Sequence, residues 1–337
     1  MRIFHCTAVY GPNTFIVRCI ILAIFIGAQA INILCFLLPL YKSDTKSTLI
    51  TFYVMASIWC LLSLLWIWSY IVTCWMDAGS VENELYKQGY LDKKGEFIEN
   101  RPLPDQISTQ PRCEKCHLPK PFRTHHCSQC DKCYFRFDHH CDVVGNCIAY
   151  KNMKAFMLFL FYSSLLLFLS AITSIISYTM THKVDLSYLL TACLLGILLG
   201  AVICIFGCMY VPEVCVNNRT TLERIAGVEP TRFDAGISNN IKQIFGECPL
   251  LWILPTRPSV DGFTWSTVYD LNTRVPNAGP PRMMMNYNNT KKYDDELQKK
   301  ADLEAPLNGD LLFKDEVNHT ENNDNKVEST TTPLDPN

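Results

Sequence analysis

Neither sign of charge dominates this chain of 337 residues. Thirty Lys and Arg stand against thirty-two Asp and Glu, a formal net charge of −2, so bulk charge gives no reason to expect a nucleic-acid partner. Charge is missing altogether from four long stretches, Cys19–Leu40, Leu49–Met76, Ala155–Met180 and Leu186–Val211. Each holds at least 22 residues, and a helix needs roughly 20 apolar residues to cross a bilayer core. Buried helices of a soluble core rarely run so far without a charge. The first stretch also lacks a small-residue cleavage site and is too long for a signal-peptide core, so it is expected to stay as a membrane anchor. The cysteines read as metal ligands rather than as a disulfide framework. Seventeen cysteines is an odd number, and seven of them crowd between Cys113 and Cys147 with Cys-x-x-Cys spacings, the pattern of metal binding.

Charge orders the loops between the four spans. Asp77–Lys154 carries twelve Lys and Arg and Pro212–Asn337 carries thirteen, against two in Tyr41–Ser47 and one in Thr181–Asp185. Arg18, Lys151, Lys154, Arg219 and Arg224 flank the spans on the same side. The expected topology therefore puts both termini and the cysteine-rich loop in the cytosol, where thiols stay reduced. It silences the glycosylation sequons at Asn218, Asn288 and Asn318. The two opposite loops are too short to form a domain, so function is expected in the cytosolic loop, the tail or the cavity among the helices.

The loop reads CEKCHLPKPFRTHHCSQCDKCYFRFDHHCDVVGNC from Cys113 to Cys147. Its aliphatic content is too low for a core of its own, so metal must supply its folding free energy. Structural zinc takes four thiolate or imidazole ligands, and two zincs need eight. Knuckles at Cys113/Cys116 and Cys127/Cys130 supply four ligands; Cys133, Cys147 and two histidines supply the rest. One thiol is left over. Cys141 is the natural candidate, because Asp138 and His139 precede it, and a cysteine nucleophile needs a base and a group that orients the base. On spacing alone the alternative stays open that Cys141 is a ligand and Cys133 or Cys147 is spare.

From about Arg18 to Pro255 the chain resembles the DHHC-type protein S-acyltransferases, or palmitoyltransferases. The motifs that carry the resemblance are Cys113 and Cys116, Lys120-Pro121 with Arg123, His126-Cys127, Cys130, Cys133, Asp138-His139-His140-Cys141 and Asn146-Cys147, continued by Asn152 and Phe156. Asp77-Ala78-Gly79, Thr220–Glu223 and Phe233–Gly246 match its secondary motifs. The resemblance implies one zinc on Cys113, Cys116, His126 and Cys133, and a second on Cys127, Cys130, His140 and Cys147. It implies that Cys141 is acylated, with His139 as base and Asp138 holding the imidazole, and that Thr221, Glu223 and Asn240 support the site. Asp142-Val143 stand where the family usually has Pro-Trp, Ala78 replaces a proline and Ala149 a glycine. These departures bear on rate and chain preference more than on reaction type; a second carboxylate beside the nucleophile would raise its pKa if it faced the sulfur.

The expected fold is all-α and membrane-integral, with four transmembrane helices and a cytosolic two-zinc domain between the second and third. Residues 1–76 hold the first two helices, 77–154 the cysteine-rich loop with its core at 113–147, 155–211 the next two helices, 212–282 a cytosolic C-terminal region and 283–337 a disordered acidic tail. The expected activity moves a long-chain acyl group, palmitoyl above all, from acyl-CoA to cysteines of membrane-associated proteins. Lys120 and Arg123 are available for the coenzyme phosphates. Gly27, Ala28 and Ala30 offer either room for the acyl chain or helix-packing positions. Cys6 is a candidate for acylation, with a free surface thiol as its plainer reading. The endoplasmic reticulum, Golgi and plasma membrane all suit such a protein. The competing reading is a zinc-stabilised membrane adaptor without catalysis; a ubiquitin ligase lacks the longer ligand spacings it needs.

Overall fold

The computed structural model describes residues 12–256 except 44, 104, 109, 122 and 229–232. Cys6, the sequons at Asn288 and Asn318 and the acidic tail lie outside the described residues. Four helical spans are long and apolar enough to cross a membrane: Thr14–Tyr41, Lys46–Trp75, Met153–Thr181 and Leu186–Val216. The first is α1 (Pro12–Ile31), a widened π turn at Asn32–Leu37 and α2 (Leu38–Tyr41). The second is α3 (Lys46–Trp75), which opens where the Thr45 side chain accepts from the Thr48 N–H at 3.2 Å. Two short helices, α4 (Val81–Lys87) and α5 (Asp105–Ser108), and two hairpins follow. Then come α6 (Met153–Thr181) and α7 (Leu186–Val211), with a π turn at Pro212–Val216. Two further helices, α8 (Thr221–Ile225) and α9 (Ile237–Phe245), close the described chain.

Lipid gives no hydrophobic drive between helices, so close packing and buried polar pairs hold the bundle. Where α7 crosses α6, a side chain at Gly196 would start 2.6 Å from the Leu167 carbonyl, so only glycine allows the approach. Gly27 has no neighbour within 4 Å of that point, so it is not a packing position. Trp59 Nε1 donates to Thr173 Oγ1 at 3.2 Å and Trp66 Nε1 to Ser163 Oγ at 2.8 Å, tying α3 to α6. Trp66 also stacks on Phe25 of the first span with ring centroids 3.8 Å apart. In the π turn the Asn32 amide accepts from Ser170 Oγ at 2.8 Å and donates to the Ala28 carbonyl at 2.9 Å, so no polar atom of that amide meets lipid unpaired.

The cysteine-rich region sits against one end of the bundle. Hairpin β1–β2 pairs His125–Cys127 with Lys132–Tyr134, and hairpin β3–β4 pairs His139–Cys141 with Asn146–Ile148. The Asn146 amide donates to the carbonyls of Thr73 and Met76, both at 2.9 Å, which fastens β4 to the end of α3. The C-terminal segment is fastened to α6 by Lys154, whose ammonium donates to the carbonyls of Phe245 and Leu251 and to Thr256 Oγ1 at 2.7–3.1 Å.

Candidate active site and metal centres

Two groups of ligands converge, Cys113, Cys116, His126 and Cys133 in one, Cys127, Cys130, His140 and Cys147 in the other, with donor atoms within 4.8 Å of one another in each. Register does much of this. Strand pairing sets His126 opposite Cys133 and His140 opposite Cys147, so each hairpin presents one imidazole and one thiol on the same side, and a Cys-x-x-Cys knuckle adds two sulfurs. His140 Nδ1 lies 3.5–3.9 Å from its three sulfurs, close to the edge of about 3.6 Å in a tetrahedron with Zn–S and Zn–N bonds of ordinary length. The donor sets fit structural zinc; contrary to the expectation of a region without a core, two small apolar clusters also form around the ligands, one with Tyr134, Phe137 and Leu222 and one with Val81, Leu85, Leu91 and Phe135. On the far side of each ring a carboxylate stands near: Asp131 is 3.5 Å from His126 Nε2 and Asp142 is 3.6 Å from His140 Nε2. Carboxylates in that place orient metal-ligating histidines. Asp142, with its side chain 81% exposed, turns toward solvent beside His140.

The spacing has a period. Cys113, Cys127 and Cys141 are fourteen residues apart (127 − 113 = 141 − 127 = 14), and so are His126 and His140, Cys116 and Cys130. The third member of the last series is Val144, not cysteine. Cys113 and Cys127 each open a knuckle; Cys141 opens one that has no second thiol, and it belongs to neither metal group.

What surrounds Cys141 is different from what surrounds its predecessor Cys127. Asp138 stands where Thr124 stands one period earlier. His125, preceded by that threonine, is pushed down to about 3 by burial and by the charges of Lys120 and Arg123, and stays neutral. His139 is also buried, which lowers its pKa, but hydrogen bonds to Asp138 and Cys141 and their charges outweigh burial and raise it to about 10. Its Nδ1 is 2.6 Å from Asp138 Oδ2. Burial also raises the Cys141 thiol, yet the hydrogen bond and charge of His139, with the N–H groups of Val144 and Val143, leave it below its ordinary value. Burial works against the Asp138 carboxylate too, and it is overcome by His139 and by the Thr221 N–H. The three groups stand in a row, with His139 between the Asp138 carboxylate and the Cys141 sulfur. Phe156 of α6 packs edge-on against His139, with centroids 5.6 Å apart, and Cys141 packs against the apolar cluster of the four spans.

Thr221, Glu223 and Asn240, the residues expected to support the site, all come from the C-terminal region. Thr221 donates its N–H to Asp138 Oδ1 at 2.6 Å. Glu223 completes a capping box with Thr220 at the start of α8 and takes Arg123 in a two-pronged pair at 2.7 and 2.8 Å. Asn240 fixes backbone, donating to the Val216 carbonyl at 2.7 Å and accepting from the Ala235 N–H at 2.9 Å. Arg123 is not turned outward to phosphates: it is 5% exposed, and its guanidinium is committed to Glu223 and to Asn218. Lys120 stays half-buried at the surface. Asn218, noted in the sequence as a silent sequon, is fully buried and joins Arg123 and Arg136 to Phe233, Asn240 and Gln243. Tyr210, hidden in the apolar run of α7, brings its hydroxyl to Asp138 and to the Met153 sulfur. Its hydroxyl, at the end of a charge-free helix that also carries Ser187, Tyr188 and Thr191, gives no sign of this in the sequence.

The pattern of the DHHC palmitoyltransferase family matches residues 107–228. "Probable protein S-acyltransferase 12" of Arabidopsis thaliana is 30% identical over 217 residues, 60% of this chain and 74% of that protein. This chain belongs to the DHHC palmitoyltransferase family. Membership places it among the acyltransferases. Palmitoyltransferase ZDHHC15A of Danio rerio is 34% identical over 183 residues and palmitoyltransferase ZDHHC15 of Homo sapiens 36% over 160, covering 51% and 42% of this chain. The matches span about half the length of these two relatives, 55% and 46%. Within this DHHC protein both metal groups and the Asp138–His139 pair fall inside the matched residues.

Proposed function

We propose that this chain is a protein S-acyltransferase that moves a long-chain acyl group from acyl-CoA to cysteine thiols of membrane-associated proteins through an acyl-enzyme on Cys141. The observation that carries the proposal is that Cys141, of the seven clustered thiols, stands outside both metal groups and is hydrogen-bonded to His139, which Asp138 holds. In the first half-reaction the Cys141 sulfur attacks the thioester carbonyl. A new S–C bond forms, the bond to the coenzyme sulfur breaks, and the departing thiolate takes the proton from the His139 imidazolium. In the second, a substrate cysteine gives its proton to His139 and its sulfur attacks the acyl-enzyme. Cys141 leaves as thiolate. One thioester replaces another, so neither half-reaction asks for a Lewis acid, and zinc serves by holding β1 to β4 in place.

The acyl chain suits the surroundings. Each CH₂ taken from water contributes about 0.8 kcal/mol, and Cys141 borders the apolar interior of the four spans. The coenzyme lies on the opposite, hydrated side, with Lys120 as its candidate cation. Topology follows the loop charges, with the termini and the zinc region cytosolic. The adaptor alternative draws its support from Asp142-Val143 in place of Pro-Trp; the exposed Asp142 carboxylate beside His140 speaks against the Asp142 half of that argument.

The test feeds an alkyne-tagged fatty acid to cells expressing the full chain, with Cys141→Ser as comparison. The wild type is expected to take a hydroxylamine-labile label that the variant lacks, while both retain two zincs. A label that persists in Cys141→Ser, or its absence from the wild type, ends the enzyme reading.

A further inference from the structure

Arg18 counted in the sequence only as a flanking positive charge. In the fold it is 3% exposed, inside the first span. Its carbonyl accepts from the Tyr70 hydroxyl at 3.0 Å, and its guanidinium lies over Trp75, 5.2 Å from the ring centroid. Nε donates to the Val144 carbonyl at 3.0 Å and a terminal nitrogen donates to the Gly145 carbonyl. Burying a cation against carbonyls and a ring is costly, and the fork geometry of arginine is what lets one side chain hold two successive carbonyls. Those carbonyls belong to the turn Asp142–Gly145, closed by the Gly145 N–H on the Asp142 carbonyl at 3.2 Å. The same turn aims the N–H groups of Val143 and Val144 at the Cys141 sulfur. Gly145 has φ of +60°, and a Cβ there would start 2.1 Å from Thr14 Cγ2 and 3.0 Å from Arg18 Nε. The first span therefore meets the turn without a gap.

We infer that Arg18 is a positioning residue for acyl transfer: it sets the turn after the nucleophile so that two backbone N–H groups stay aimed at the reacting centre. The inference rests on the acyl-enzyme reading of Cys141. When the sulfur bonds to the thioester carbon, the carbonyl π pair moves to oxygen, and it returns as the bond to the coenzyme sulfur breaks. The N–H groups that face the sulfur at rest are then within reach of the oxygen that takes up charge. Donors fixed in advance stabilise that charge without reorganising.

The experiment measures single-turnover acylation of the purified full chain by palmitoyl-CoA, with zinc content per chain, for wild type, Arg18→Gln and Arg18→Lys. Burst amplitude reports the folded, competent fraction; burst rate reports positioning. For Arg18→Gln the rate is expected to fall on the order of 10²-fold, with amplitude, two zincs and the KM for palmitoyl-CoA kept. Arg18→Lys retains the charge but not the fork and is expected to recover only part of the rate. An unchanged rate in Arg18→Gln overturns the inference, and so does full recovery by lysine, which would make charge alone sufficient. Should Arg18→Gln lose its zinc, Trp75→Leu removes only the ring under the guanidinium and is expected to slow the burst by about tenfold; no slowing there overturns the inference as well. A wild type that takes no label on Cys141 fails the acyl-enzyme reading instead, an outcome distinct from a labelled wild type matched by its variants.

Discussion

Glu223→Ala is expected to be among the most destabilising single changes in this chain. The ion pair it breaks has side chains 1% and 2% exposed, so solvent screens nothing. Removing one partner leaves the Arg123 guanidinium buried and uncompensated, a loss of about 3–5 kcal/mol in comparable pairs. The same carboxylate accepts the Thr220 N–H at 2.8 Å, so the capping box opens too, at about 1 kcal/mol. Asn218 still accepts from Arg123, which keeps the total nearer 4 than 6 kcal/mol, roughly. At about 2–4 °C per kcal/mol for a chain of this size, the apparent midpoint should drop by roughly 8–16 °C. The assay is thermal unfolding in detergent, followed by thiol-reactive dye at fixed zinc, on wild type, Glu223→Ala, Arg123→Met and the pair Arg123→Met/Glu223→Leu. Because the penalty comes from an orphaned charge, the double variant should stand above Glu223→Ala in stability. A midpoint within 2 °C of wild type for Glu223→Ala, or a double variant equal to the sum of the singles, refutes the reasoning.

Other expectations are narrower. Asp138→Asn keeps the shape but withdraws the charge that holds His139 protonated, so acylation by palmitoyl-CoA should fall about 10²-fold or more while zinc content stays the same. Asp142→Asn should weaken zinc at the His140 site by about tenfold in chelator competition, and Asp131→Asn should do so at the other site; equal release kinetics in all three proteins would remove the second-sphere role. Stripping zinc with a strong chelator should abolish acylation and expose the clustered thiols to alkylation together, because the apolar clusters around the hairpins are built partly from the ligand cysteines themselves. Gly196→Val should lower the thermal midpoint, since its side chain meets the Leu167 carbonyl; an unchanged midpoint argues against close α6–α7 contact in the membrane.

Spacing made the two knuckles and the spans readable, and the family resemblance divided the eight ligands between two zincs. Cys-x-x-Cys and charge-free length are local patterns whose physical demand is the same wherever they occur. Burial is not local, and that is where sequence reading went astray. Arg123 looked like a surface cation because nothing near it announces Glu223, a hundred residues on. Arg18 and Lys154 carried the orientation signal, yet both side chains are buried and hold backbone carbonyls. Asn218 matched a sequon and proved to be a buried junction between the zinc region and the C-terminal segment. The concern over Asp142 depended on the direction of one side chain, which no spacing reveals.

The fourteen-residue period bears on how little is needed to make the proposed reactive centre. A repeating ligand ladder ends with one rung half built: Val144 takes the seat of a thiol, and the sulfur before it has no ion to satisfy. The strand that carries it is already held by the rung behind, so no separate scaffold is required to aim it. Exchanging a hydroxyl for a carboxylate, Thr124 in one rung against Asp138 in the next, turns a silent imidazole into a charged partner. On the proposed mechanism, reactivity comes from leaving a structural series unfinished beside lipid.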